Sequence, residues 1–126
     1  LNGVGYVGLG GYELHKDFHR YGPITGQWTA IAELPTTQTS LFFSSAFTIN
    51  DKAYARLFSE FWEYDPTSND CTQLAAPCGS PAHVENAFSV GGRGYLICGN
   101  GSSSIGTWPG FTVGATKEVW EFTPED

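Results

Sequence analysis

Short apolar runs separated by turn residues set the rhythm of the chain. In its middle, Ser45-Ala46-Phe47-Thr48-Ile49 is followed by Ala53-Tyr54-Ala55-Arg56-Leu57, then Phe61-Trp62-Glu63-Tyr64, then Cys71-Thr72-Gln73-Leu74. Aromatic and β-branched residues dominate these runs, and Gly, Pro, Asn, Asp or Ser bounds them, which is the pattern of strands. No stretch carries the three-to-four-residue period of an amphipathic helix. Asn50-Asp51 and Gly91-Gly92 read as two-residue hairpin turns. Gly22-Pro23-Ile24-Thr25-Gly26 and Asp65-Pro66-Thr67-Ser68-Asn69-Asp70 read as longer ones.

The pattern recurs. Gly5-Tyr6-Val7-Gly8-Leu9 matches Ala53-Tyr54-Ala55-Arg56-Leu57 and Gly94-Tyr95-Leu96-Ile97-Cys98. Phe18-His19-Arg20-Tyr21 matches Phe61-Trp62-Glu63-Tyr64 and Val119-Trp120-Glu121-Phe122. Asn86-Ala87-Phe88-Ser89-Val90 repeats the run that holds Phe47. The period is forty-odd residues, which predicts a propeller or another repeat array. Each unit is expected to be four antiparallel strands, a to d, lying in the middle unit near 43–49, 52–58, 60–65 and 71–75. Such a sheet has two apolar faces and must stack on neighbours to bury them.

These residues carry a family resemblance. The unit resembles the kelch repeat, marked by a double glycine after strand b, then a Tyr, then a Trp seven positions later. Gly10-Gly11, Tyr21 and Trp28 match all three marks. The middle unit keeps Tyr64 but has Cys71 for the Trp and Ser59-Glu60 near the glycine pair. The last has Gly99-Asn100 and Phe122. The resemblance implies an all-β fold of propeller blades with Tyr and Trp as wedges between them, Trp62 and Trp120 sharing the slot that His19 fills in the first unit. The expected blades are 1–35 (strands b to d), 41–76 (a to d) and 84–126 (a to c). Ten strands make two and a half blades, where propellers usually close with four to eight. Together with a start at Leu1 rather than Met, this phase leads to the expectation of an arc from a longer propeller, its remaining blades in the same or another chain.

Charge narrows the partners. The 126 residues include 6 basic and 13 acidic side chains, a net charge of −7. That opposes binding to a nucleic-acid phosphate backbone, which needs clustered Lys and Arg. No run of eighteen apolar residues predicts a membrane-inserted helix. Apolar residues at 40% and aromatics at 15% describe a folded chain.

Candidate sites concentrate in the connections between strands b and c, which vary most. The last unit inserts 101–116 there, with Trp108 and Phe111. These two aromatics are placed either to stack on a sugar or anchor a protein partner, or to fold back over the blade. Tyr12 and His15 sit in the corresponding connection of the first unit. His15 and His19 are four apart, but on a strand that spacing separates them, so no metal site is expected; His19 is expected to pack between blades. Arg56 interrupts an apolar strand and is expected opposite Trp62 or Glu63, as an ion pair with Glu63 or as a group in a polar channel. A Cys71–Cys78 disulfide requires a reversal at Ala75-Ala76-Pro77. Seven extended steps span about 23 Å, and the bridge needs Cα atoms within about 7 Å. Cys98 reads as a buried thiol. No phosphate loop, nucleophile motif or carboxylate pair stands out, and no cofactor is expected.

The resemblance implies a binding or scaffold module that presents propeller loops to a protein or glycan, in a secreted or surface protein of bacterial type. The alternative is part of a kelch-propeller enzyme, an oxidase or sialic acid mutarotase, whose catalytic residues lie outside this chain.

Overall fold

The computed structural model describes residues 1–8, 15–37, 44–57, 60–75, 82–103 and 112–125. Its elements are ten strands: β1 (Gly5–Gly8), β2 (Phe18–Gly22), β3 (Gln27–Ile31), β4 (Ser44–Ile49), β5 (Lys52–Leu57), β6 (Glu60–Asp65), β7 (Asp70–Leu74), β8 (Ala82–Val90), β9 (Arg93–Ser103) and β10 (Thr112–Phe122). They form three antiparallel sheets, β1-β2-β3, β4-β5-β6-β7 and β8-β9-β10, none of them closed. Among the described residues there is no helix. The architecture is all-β and consistent with partial propeller blades.

The turn chemistry explains the meander. Asn50 and Asp51 both adopt positive φ (47° and 65°), as do Gly91 and Gly92 (60° and 76°). Two consecutive left-handed residues match the twist of the strands that they join. Gly26 and Asn69 supply the positive φ that closes the other two hairpins. At the start of the second of these, the Asp65 carboxylate accepts hydrogen bonds from the backbone N–H and the hydroxyl of Thr67.

Alternation along the strands gives each sheet two faces. In the central sheet, Phe47 pairs with Tyr54, Tyr54 with Glu63, and Arg56 with Phe61, so these share one face. Ala46, Ala55 and Trp62 share the other. The first face packs on the third sheet. Phe47, Ile49, Tyr54, Phe61 and Leu96 are buried together, with Ala87 and Phe122 against them. The Phe61 and Phe122 rings meet edge to face at 5.0 Å, a favoured aromatic geometry. Close approach here requires a glycine: a Cβ on Gly94 would lie 2.2 Å from Phe47 Cε2. The second face meets the first sheet more sparsely, with Leu34, Leu57 and Trp62 buried and Phe18 and Cys71 beside them.

The register corrects the expected Arg56 contact. Arg56 lies opposite Phe61, and Glu63 lies opposite Tyr54. Glu63 pairs instead with Lys52, whose Nζ stands 2.6 Å from Oε1. The two-residue connection at 58–59 leaves the pairing ambiguous by one position in sequence, and one position reverses the face.

The outermost faces are open. Phe88, Val90, Ile97 and Val119 are exposed. By alternation, all four lie on the face of the third sheet turned away from the centre. Val7 and Trp28 are exposed on the first sheet.

Candidate functional site

Antiparallel order sorts the connections by end. The β4–β5, β8–β9, β2–β3 and β6–β7 turns, of two to four residues, lie at one end of the sheets. The β1–β2, β5–β6 and β9–β10 connections and the linkers between sheets lie at the other. The strand ends that flank the long connections (Gly8 and Phe18, Ile31 and Ser44, Leu74 and Ala82, Ser103 and Thr112) all lie at that second end of their sheets. Within each sheet this division follows from strand direction alone.

Glu60 anchors the loop-bearing end. It opens β6 and is buried. Its Oε2 accepts hydrogen bonds from Thr36 Oγ1 at 2.5 Å and from Trp62 Nε1 at 2.7 Å. Its Oε1 accepts from Thr37 Oγ1 at 2.8 Å and from Thr37 N at 3.3 Å. Burial pushes the carboxyl pKa up, but these bonds outweigh it and hold the pKa below the ordinary value. The linker carrying Thr36 and Thr37 is fastened from the other side too. Lys16 Nζ donates to Thr36 O at 2.8 Å, and Leu34 N donates to Lys16 O at 3.2 Å. The arrangement fixes a loop base and contains no free nucleophile.

Arg56 reaches the same end of the central sheet, on the opposite face. It is 0% exposed, and burial lowers its pKa. It therefore belongs to the packed interior of the sheet stack.

At the turn-bearing end a polar triad recurs. Glu63 accepts from Lys52 Nζ at 2.6 Å and from Tyr54 Oη at 3.0 Å. Glu121 accepts from Arg93 at 3.1 Å and from Tyr95 Oη at 3.1 Å. Burial, then the Glu63 bond, pushes the Tyr54 hydroxyl pKa well up. The signal stands in the sequence as a cation, a Tyr and a Glu at matched repeat positions.

The other expected residues are placed as follows. His15 is exposed beside Lys16 at the loop-bearing end. His19 lies in β2, 3.6 Å from Asp17, facing away from the central sheet. Tyr21 and Trp28 sit opposite each other on that same open face, with ring centroids 4.8 Å apart. Tyr64 faces the first sheet, 6.0 Å from the Tyr6 ring, and donates to Asn69 Oδ1 at 3.1 Å. That same oxygen accepts from Ala32 N at 3.0 Å, tying the two sheets together. Trp62 is buried, and Trp120 is partly exposed. Cys71 is a free, half-buried thiol whose pKa is raised by burial and then by Asp70. Cys78, Tyr12, Gly10, Gly11, Trp108 and Phe111 lie outside the described residues, as does the side chain of Cys98. Among the described residues, no three His, Cys, Asp or Glu side chains gather as a metal site. No described helix is long and apolar enough to cross a membrane.

Repeated antiparallel sheets stacked face to face define the class: a propeller-like fold. The comparisons agree at that level. The chain is similar to the solved structure of YjhT, with a TM-score of 0.60 and 21% identity over 81% of this chain. The match spans 32% of the YjhT chain, so this chain covers about a third of its length. No protein-family model matches, and no curated protein matches.

Proposed function

We propose that the chain is part of a kelch-type propeller acting as a binding or scaffold module, its loop-bearing end turned to a protein or glycan partner. One observation carries this reading: every long connection joins strand ends at one end of the sheets, while the other end holds only tight turns. Binding residues concentrate on variable loops held by a rigid scaffold, and Glu60 supplies rigidity at the base of one. The insert with Trp108 and Phe111 and the segment with Tyr12 and His15 join strands whose described ends lie there, and in this proposal they supply the contacts. The acidic, Lys-poor composition fits a secreted or surface protein of bacterial type, and further blades complete the ring.

The test is a glycan array and a panel of surface-protein ligands, read with the unaltered protein, a Trp108→Ala/Phe111→Ala variant and Ile24→Ser. Ile24 is 100% exposed in the β2–β3 turn at the opposite end. The double variant loses binding at least tenfold and Ile24→Ser retains it. Unchanged affinity in the double variant, with loss in Ile24→Ser, assigns binding to the turn-bearing end and overturns the proposal.

A further inference from the structure

One pair of side chains breaks the repeat at the turn-bearing end. In the second sheet Glu63 lies opposite Tyr54, and in the third Glu121 lies opposite Tyr95. Each carboxylate is held by that Tyr and by a cation two residues before it. Lys52 Nζ and Tyr54 Oη stand 2.6 and 3.0 Å from Glu63. Arg93 and Tyr95 Oη each stand 3.1 Å from Glu121. The first sheet keeps the Tyr as Tyr6 but has Val4 at the cation position and Arg20 at the Glu position. It retains one cation and one hydroxyl, side by side on adjacent strands, and has no carboxylate of its own for them to hold.

The pair sits in a defined cleft. Tyr6 and Arg20 are directly opposed on the face turned to the central sheet, where the Tyr6 ring meets that of Tyr64 at 6.0 Å. Burial, then Tyr6, pushes the Tyr64 hydroxyl pKa up, and nearby Arg20 opposes the shift. Arg20 is exposed and Tyr6 half-buried. Among the described residues Arg20 forms no ion pair. The carboxylates of the adjoining β6–β7 turn are engaged elsewhere. Asp65 accepts from Thr67 N and lies 3.7 Å from Lys52 Nζ, and Asp70 accepts from Cys71 N at 2.9 Å. The turns around the cleft, 2–3, 22–26, 50–51 and 65–70, are all described, and they set its opening.

We infer that Tyr6 and Arg20 form a subsite for a ligand carboxylate, which completes from outside the arrangement that Glu63 and Glu121 complete from within. A guanidinium beside a hydroxyl suits the two oxygens of a carboxylate, each taking a charge-assisted hydrogen bond. The Tyr6 and Tyr64 rings offer apolar surface to the carbon stem of the ligand. Exposed ion pairs are weak, so the subsite orients and selects a ligand rather than supplying most of its affinity. A short-chain free acid and an acidic side chain on a peptide present the same group. The subsite lies at the opposite end from the loops and is independent of the reading given to them.

The test follows the Arg20 Nε–H and Tyr6 ring resonances of the isotopically labelled protein by NMR at constant ionic strength. The probes are butyrate, a capped Ala-Glu-Ala tripeptide and its Ala-Gln-Ala counterpart. Butyrate and the Glu peptide shift both sets of resonances, and the Glu peptide binds about fivefold more tightly than the Gln peptide. Whichever carboxylate binds more tightly tells a free acid from an acidic side chain as the better ligand, and either upholds the subsite. Arg20→Gln, read at Tyr6, weakens both carboxylates by a similar factor. Val4→Lys/Arg20→Glu copies the Lys52 and Glu63 arrangement and abolishes binding with an unchanged far-ultraviolet spectrum. Equal binding of the Glu and Gln peptides, carboxylate binding unchanged in Arg20→Gln, or no shift at Arg20 and Tyr6 in the unaltered protein overturns the inference.

Discussion

Replacing Glu60 isolates the contact that holds the linker to the central sheet. Its carboxylate is buried and accepts from Thr36, Thr37 and Trp62. A hydrogen bond to a charged acceptor contributes about 1.5–3 kcal/mol, and a buried donor left alone costs about 1–3 kcal/mol. In Glu60→Ala the exposed Thr37 hydroxyl can turn to water, but Thr36 is buried and the Trp62 N–H, which donates only, stays enclosed. The expected loss is therefore roughly 3 kcal/mol. Glu60→Gln keeps one acceptor oxygen for Trp62 and turns an amide N–H₂ towards Thr37 N, which can only donate. Its expected loss is smaller, about 1–2 kcal/mol. Urea unfolding followed by Trp fluorescence reads both. The pH dependence supplies a second check. The folded pKa is depressed below 4.5, so the stabilisation is present above the unfolded value and lost as pH falls through the folded one. The gap between the unaltered protein and Glu60→Gln closes as the pH drops below that range. An Ala variant no weaker than Glu60→Gln at neutral pH, or a gap independent of pH, would refute the reasoning.

Three further outcomes are expected. Gly94→Ala drives a Cβ into the Phe47 ring and costs about 1–3 kcal/mol by overpacking, and Phe47→Leu in the same chain restores part of it; additive losses in thermal melts would show that the two residues do not touch. Asp51→Gly relieves a left-handed non-Gly residue at φ 65° and raises stability by about 0.5–1 kcal/mol, with a lower urea midpoint as the contrary result. Alkylation without reductant, followed by peptide mapping, finds Cys71 modified as a free thiol, slowly because burial raises its pKa; a Cys71–Cys78 disulfide-linked peptide would contradict this.

What was legible in sequence was what depends on near neighbours. The Asn50-Asp51 and Gly91-Gly92 turns and the alternation around Phe47 and Tyr54 fix strands and hairpins locally, and they recur in the structure. The Arg56 pairing is not legible because the connection at 58–59 leaves the register open, and a slip of one residue changes its partner from Trp62 to Phe61. The Glu60 anchor was missed because its hydroxyl donors come from a linker more than twenty positions earlier. The Glu60 and Trp62 spacing, two apart on one strand face, was the available hint.

The stacking of successive sheets is the claim on which the rest depends. A nuclear Overhauser spectrum of the selectively labelled protein tests it most directly. The account predicts cross-peaks from the Phe47 ring to the Gly94 α-protons and between the Phe61 and Phe122 rings. Strong cross-strand peaks within each sheet, with neither of these between sheets, would contradict it.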